Sequence, residues 1–335
     1  MAPLLNALKV EHVSSENGTS TYRGDIDGTW TIGSVPQGGY ALGQILEACI
    51  IHQSATRHRD PIHVSAHFLQ ATNVARFEVQ VKILKVGKGF TNLVGILMQN
   101  GRTKITAHFI FGDLSPSSSD SAHGLKLAPP SPYARRLPLY SHPSATTADP
   151  VRHTWKFHSL LQWAQDHMTV ARNKPDSETR THSDTVGGGG TEWGAWCELT
   201  GTDDGIKTSS LPFFGDTFHN LPVLLPENET AGYSAKSSWF PTMTMTIEFK
   251  ARMPSTSDYS SRTVGLYSES RFLGEPQGRH NARVEVWTAP SRIGDGEIAD
   301  GWRDKQYCIA VAEQMCLTLS MDVNRREGHR DTVKL

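Results

Sequence analysis

The sequence predicts an α+β fold of two similar halves, in which two antiparallel β-sheets each wrap around a central helix and the halves pack as a pseudo-dimer. Three observations predict it. A glycine turn at 33–39 leads into an amphipathic helix, alternating strands follow that helix, and the same order of elements returns after a polar interruption.

In the first half, Leu42, Ile45, Leu46, Cys49 and Ile50 recur at helical spacing, which predicts a helix over 40–53 with one buried stripe. The preceding "GSVPQGG" matches neither the dinucleotide fingerprint nor the lysine-bearing phosphate loop, so it is not a nucleotide cradle. Strands are expected at 63–71, 76–84, 90–99 and 103–112. Phe77, Val79, Val81 and Ile83 alternate strictly, and Asn100-Gly101 marks a hairpin between the last two strands.

Residues 114–150, rich in Ser and Pro, form a linker, and the polar stretch 172–190 with its run of glycines is a disordered-looking insert. The pattern then recurs. A strand at 191–200 precedes a helix at 210–221 with Leu211, Phe214, Phe218 and Leu221 on one side, and strands follow at 242–251, 260–273, 282–289 and 306–319. Ala41-Leu42-Gly43-Gln44 overlays Phe213-Phe214-Gly215-Asp216, and Ser65-Ala66-His67-Phe68 overlays Thr246-Ile247-Glu248-Phe249. The expected units are 1–113, the linker 114–150, 151–325 and a tail 326–335. Trp193 and Trp196, at odd spacing on one strand, point to opposite faces.

With 335 residues, 37% of them hydrophobic, the chain can bury a large core, and its net charge of −1 excludes the broad positive field of a nucleic-acid binder. The four cysteines lack C-x-x-C spacing and are expected as reduced, partly buried thiols. No cluster has metal-ligand spacing, and no cofactor is expected. No apolar run is long enough to span a membrane, and "MAPLLNALKVEH" lacks a charged leader, so the expectation is a cytoplasmic protein with no membrane partner. Val333-Lys334-Leu335 is a weak likeness of a peroxisomal address. Asn17-Gly18-Thr19 fits a glycosylation sequon, taken as chance in a chain without a secretion signal.

Four stretches, "WTIGSVPQGGY" (30–40), "HVSAHFLQA" (63–71), "PTMTMTIEF" (241–249) and "IAVAEQ" (309–314), resemble the acyl-CoA thioesterase II (TesB-like) family and its thioesterase-like relatives, which have the double hotdog fold. The resemblance covers roughly 20–320 and implies a water-activating site of Asp216, Thr242 and Gln314, acting on acyl-CoA or a carrier-protein-bound acyl group to release acid and thiol. That chemistry suits them: a thioester needs an oriented water and support for the developing oxyanion rather than a covalent nucleophile. Thr244 departs from the family pattern, where an aspartate is expected in many relatives. Gln44 occupies the place of Asp216 in the first half and cannot act as a base. Gly39, Tyr40, Gln44, His67, Trp239 and His219 are candidate substrate contacts. The alternatives are a hotdog dehydratase, isomerase or cyclase, for which "DTFHNLP" lacks the D-x-N-P-x-H run, and a non-catalytic acyl-binding protein. Either a monomer or a homo-oligomer is compatible with a paired double hotdog.

Overall fold

The computed structural model describes residues 2–329 apart from 116–124, 152–153, 181–185, 202–204, 231–233, 235–236 and 256. Part of the linker, part of the polar insert and the Val333-Lys334-Leu335 terminus therefore lie outside the described residues.

The first half runs β1 (Glu11–Glu16), β2 (Thr19–Asp25), α1 (Gly38–Gln53), β3 (Asp60–Phe68), β4 (Arg76–Val86), β5 (Thr91–Gln99) and β6 (Arg102–Gly112). The second repeats that order as β7 (Leu161–Gln165), β8 (Glu192–Leu199), α2 (Leu211–Gly215), β9 (Thr242–Phe249), β10 (Thr263–Glu269), β11 (Arg279–Thr288) and β12 (Cys308–Cys316), followed by α3 (Met321–His329). The two expected sheets are continuous. One 13-stranded sheet has the order β1-β2-β4-β5-β6-β3-β9-β12-β11-β10-β8-β7, with the short strand Leu273–Gly274 paired to β11.

That order is a mirror about the β3–β9 seam, where all pairing is antiparallel. Ser65 faces Thr246, while Ala66 faces Met245 and Val64 faces Ile247. Exchanging the halves under the overlay of Ser65 on Thr246 turns the second of these pairs into the third, so a pseudo-twofold axis passes through the Ser65–Thr246 pair. The repeat legible in the sequence is thus a repeat in space.

Alternation along each strand sends one face inward. Phe77, Val79 and Val81 of β4 and Met245, Ile247 and Phe249 of β9 join a single core with the helices. The predicted single stripe of α1 is corrected: Tyr40 to Leu46, Ala48 and Cys49 are all buried. The sheet covers one side of the helix, and α2 and the N-terminal segment cover the other. The second predicted helix is also shorter than expected. It ends at Gly215, where the Thr217 hydroxyl donates to the Phe213 carbonyl (2.7 Å) and Asp216 caps the last turn. A separate short helix, Leu221–Leu224, opens with Pro222 in its first turn.

Three elements escaped the sequence reading. The β1–β2 hairpin turns on Asn17-Gly18, both at positive φ as at Asn100-Gly101, so the apparent sequon is a hairpin dipeptide. Strand β7 is short. Helix α3 crosses back to the first half, so the expected boundary between 325 and 326 falls inside a helix rather than at the start of a tail. The linker is partly built in: Leu137 and Leu139 pack with Trp196, Trp287 and Ala289 on the outer face of the second half, while Trp193 joins the main core. The two tryptophans do face opposite ways.

The helices α1 and α2 approach closely at Gly39. A Cβ there would lie 2.0 Å from the Pro212 carbonyl oxygen and 2.8 Å from Asp216 Cβ. Gly39→Ala is therefore expected to destabilise the protein by about 1–3 kcal/mol in urea unfolding. Gly38→Ala, whose Cβ would meet only side-chain atoms at 3.2 Å or more, should cost less.

Candidate active site

The N-terminus of α1 points at the end of α2. Gln37 caps α1, its Oε1 accepting from the Tyr40 amide (2.6 Å), and its Nε2 donates to the carbonyls of Phe213 and Asp216 (both 3.1 Å). This one side chain fastens both central helices. The Gly39 amide then donates to Asp216 Oδ2 at 2.8 Å. A carboxylate at the N-terminus of a 16-residue helix meets unsatisfied amides and the positive end of the helix dipole.

On its other oxygen, Asp216 accepts from the Thr242 hydroxyl (Oγ1 to Oδ1, 3.0 Å). Thr242 Oγ1 also lies 3.1 Å from Gln314 Oε1, and Gln314 Nε2 donates to the Gly215 carbonyl at 2.6 Å. Thr242 has a single proton for two acceptors, so one of them is open to a further donor. Cys316, opposite Thr242 across the strands, brings its Sγ within 3.8 Å of both Thr242 Oγ1 and Gln314 Oε1. The structure thus gathers Asp216, Thr242 and Gln314 from three distant parts of the chain.

A β-bulge makes this possible. The β9–β12 register shifts between Thr242 and Thr244. Strict alternation would leave Thr242 on the outward face with Thr244, Thr246 and Glu248. The extra residue, Met243, turns it inward to Asp216. Gln314 already faces inward, opposite Met245, and is buried.

Asp216 lies deep in the molecule, and its remaining accessible surface opens into a cavity of about 940 Å³. Burial pushes its carboxyl pKa up to about 6, and the hydrogen bonds from Gly39, Thr242 and Gly38 hold it from rising further. Phe68, Trp155, Phe218, Trp239 and Phe240 give the cavity an aromatic lining, and its only charged lining residues among those described are Asp216 and Glu327. No group of three or more His, Cys, Asp or Glu side chains among the described residues is arranged to hold a metal ion.

The other candidate contacts divide. Gly39 meets Asp216 through its amide, and Trp239 lines the cavity. Gln44 and Tyr40 do not. Both are fully buried: Gln44 Nε2 donates to the Ala7 carbonyl (2.9 Å) and the Tyr40 hydroxyl (3.0 Å), and that hydroxyl donates to the Ala7 carbonyl (3.0 Å). They tie the N-terminal segment onto α1. His67 is exposed on the outer face, because its neighbours Ala66 and Phe68 take the inward positions of β3. The His219 ring packs against Trp163 and Trp193, with centroids 5.3 and 5.2 Å away, outside the cavity lining. Gln37 and Cys316 were missed. Glutamine is a weak N-cap signal, and nothing in the sequence ties either residue to Asp216.

A helix swallowed by an antiparallel sheet, twice over in one chain, is a double hotdog protein. The chain superposes on a candidate thioesterase II from Thermobifida fusca over 94% of its own length and 97% of the other (TM-score 0.66, 17% identity). It superposes similarly on an acyl-CoA thioesterase II from Mycobacterium marinum (95% and 98%, TM-score 0.62, 13% identity) and on a hotdog-fold protein of unknown function from Alicyclobacillus acidocaldarius (95% and 98%, TM-score 0.61, 15% identity). Within this fold, residues 26–112 match the family model of the acyl-CoA thioesterase N-terminal domain. No curated protein matches the sequence. Residues 26–112 thus carry the acyl-CoA thioesterase N-terminal domain, and the likeness over the whole chain is one of fold. Among the described residues, no helix is long and apolar enough to cross a membrane.

The raised pKa of Asp216 makes a stability prediction. From its ordinary value of 3.8 up to about 6, the unfolded chain ionises this group more readily than the folded protein does. The wild type therefore loses stability as pH rises through that window. Asp216→Asn removes the loss, so its melting temperature should gain on the wild type between pH 4 and pH 7, as read by thermal unfolding across that range.

Proposed function

We propose that the protein hydrolyses an acyl thioester to free acid and thiol, with acyl-CoA the favoured substrate, through a water activated by Asp216 with Thr242 and Gln314. The observation that carries this reading is the Asp216–Thr242–Gln314 cluster, of which Asp216 and Thr242 line an apolar cavity with Gln314 bonded behind them, and Asp216 Oδ2 is held by the Gly39 amide.

In this mechanism the acyl group enters the cavity and a water sits between Asp216 and Gln314. The ionised Asp216 takes a proton from the water as its oxygen bonds to the thioester carbonyl carbon. Thr242 and the fixed Oε1 of Gln314 hold the water in line, which is the larger part of the work for a reactive ester. The tetrahedral intermediate collapses with cleavage of the C–S bond, and the thiolate takes the proton back from Asp216. Acid and thiol leave, and the carboxylate is restored. In this reading the apolar and aromatic lining encloses the acyl group, and the charged carrier group stays outside the cavity. Coenzyme A and a carrier protein both satisfy that requirement.

Free-thiol release from acyl-CoAs of graded length tests the reading. Asp216→Asn should lower kcat/KM by about a hundredfold or more, and Thr242→Val should lower kcat with a smaller effect on KM. Turnover by Asp216→Asn equal to the wild type would discard the assignment. Wild-type kcat/KM should climb with pH around a midpoint near 6, the pKa of Asp216, because only the carboxylate accepts the proton. That acid limb should vanish in the residual activity of Asp216→Asn.

A further inference from the structure

The strands that carry the cluster continue beyond it. After Thr242 pairs with Cys316, the Leu317 amide donates to the Pro241 carbonyl (3.0 Å), and Trp239 pairs with Leu319. Pro241, Trp239, Leu317 and Leu319 all line the cavity, so it follows this ribbon away from Thr242. At about 3.3 Å per residue, Leu319 lies ~10 Å beyond Cys316. The chain then enters α3, whose Met321, Val323 and Glu327 are also lining residues.

Helix α3 is anchored firmly over that end. Asn324, fully buried, accepts from the Ser34 amide (2.8 Å) and donates to the Ile32 carbonyl (2.9 Å). The Asn73 side chain donates to the last carbonyls of the helix, at Glu327 (3.2 Å) and Gly328 (3.1 Å). Two glycines permit the close fit: a Cβ on Gly328 would lie 2.4 Å from Ser34 Cβ, and one on Gly33 would lie 2.7 Å from Met321 Cε. A helix held by its own polar groups on one half, with apolar side chains over a cavity shared by both halves, is a fixed wall.

We propose that α3 is the acyl-length gauge of this cavity, with the bulk of Met321 and Val323 setting how long an acyl chain is accepted. This rests on the proposed function only in taking the cavity's occupant to be an acyl chain. At the gauge, added side-chain volume excludes the terminal methylenes of a long chain and leaves short chains untouched. Removed volume admits longer ones.

The test is calorimetric binding of saturated fatty acids, from hexanoate to stearate, to the full chain and its variants, because binding is read whether or not any thioester is cleaved. Met321→Phe and Val323→Phe should each weaken the longest bound chains by about tenfold while leaving the shortest unchanged. Met321→Ala should extend the accepted length. Arg325→Ala, on the exposed face of α3, should keep the wild-type profile and controls for damage to the helix. A length profile unmoved by all three gauge variants would overturn the proposal, as would a uniform loss across lengths in variants with wild-type melting temperatures. Absence of fatty-acid binding by the wild type would remove the acyl occupant itself. If binding follows the gauge but no acyl-CoA is cleaved, the hydrolase reading falls and the gauge stands.

Discussion

The contact between the first turn of α1 and the carboxyl of Asp216 is the joint on which the rest of the molecule is arranged. At that point the two central helices meet at backbone distance, so only glycine fits at residue 39. Gln37 spans the same joint with bonds to both helices. The sheet can close around a helix pair only if the pair is compact. The close crossing and the placement of the carboxylate are therefore one structural solution, and the glycine turn that resembles a phosphate loop binds an anion after all, one belonging to the protein.

Keeping Asp216 there has a cost. A carboxylate deep in an apolar fold loses water, and two backbone amides and a hydroxyl replace that hydration only in part, which is why its pKa stands at about 6 rather than 3.8. A pKa in that range suits a group that takes a proton and returns it within one turnover near neutral pH. The residue that the sequence overlays on Asp216 in the first half shows the contrast. Gln44 carries no charge, lies deeper, and spends its amide on the Ala7 carbonyl and the Tyr40 hydroxyl. The two halves share a fold but differ at this joint, one holding the buried carboxylate and the other supplying the helix end that steadies it.

Much of this was legible in the sequence, for identifiable reasons. Period-two alternation in 76–84 and Asn100-Gly101 marked the meander, and the overlay of Ser65 on Thr246 matches the register of the seam. The gathering of Asp216, Thr242 and Gln314 came from family resemblance rather than from pattern. The helical stripe of Leu211, Phe214, Phe218 and Leu221 leaves Asp216 off its apolar side, and strand alternation would have turned Thr242 outward. Both rules fail locally, the first because α2 ends at Gly215 and the second because of the bulge at Met243. His67 and Tyr40 were misplaced for a related reason: nearness in sequence to a motif says nothing of which side of a strand or helix a residue takes. Helix α3 was invisible because its polar residues make it look like a tail, and the partners of Asn324 lie some 290 positions away.

The path of α3 also couples occupancy to the integrity of the whole molecule. Residues that line the cavity run from Ile32 to Glu327, and the helix that supplies the last of them is synthesised only after both halves. An acyl group bound there, as proposed, would touch early, middle and late segments of the described chain together and would act as a non-covalent cross-link among segments that otherwise meet late in folding. Substrate would then serve as a folding ligand as well as a reactant, favouring chains that have brought their last helix home.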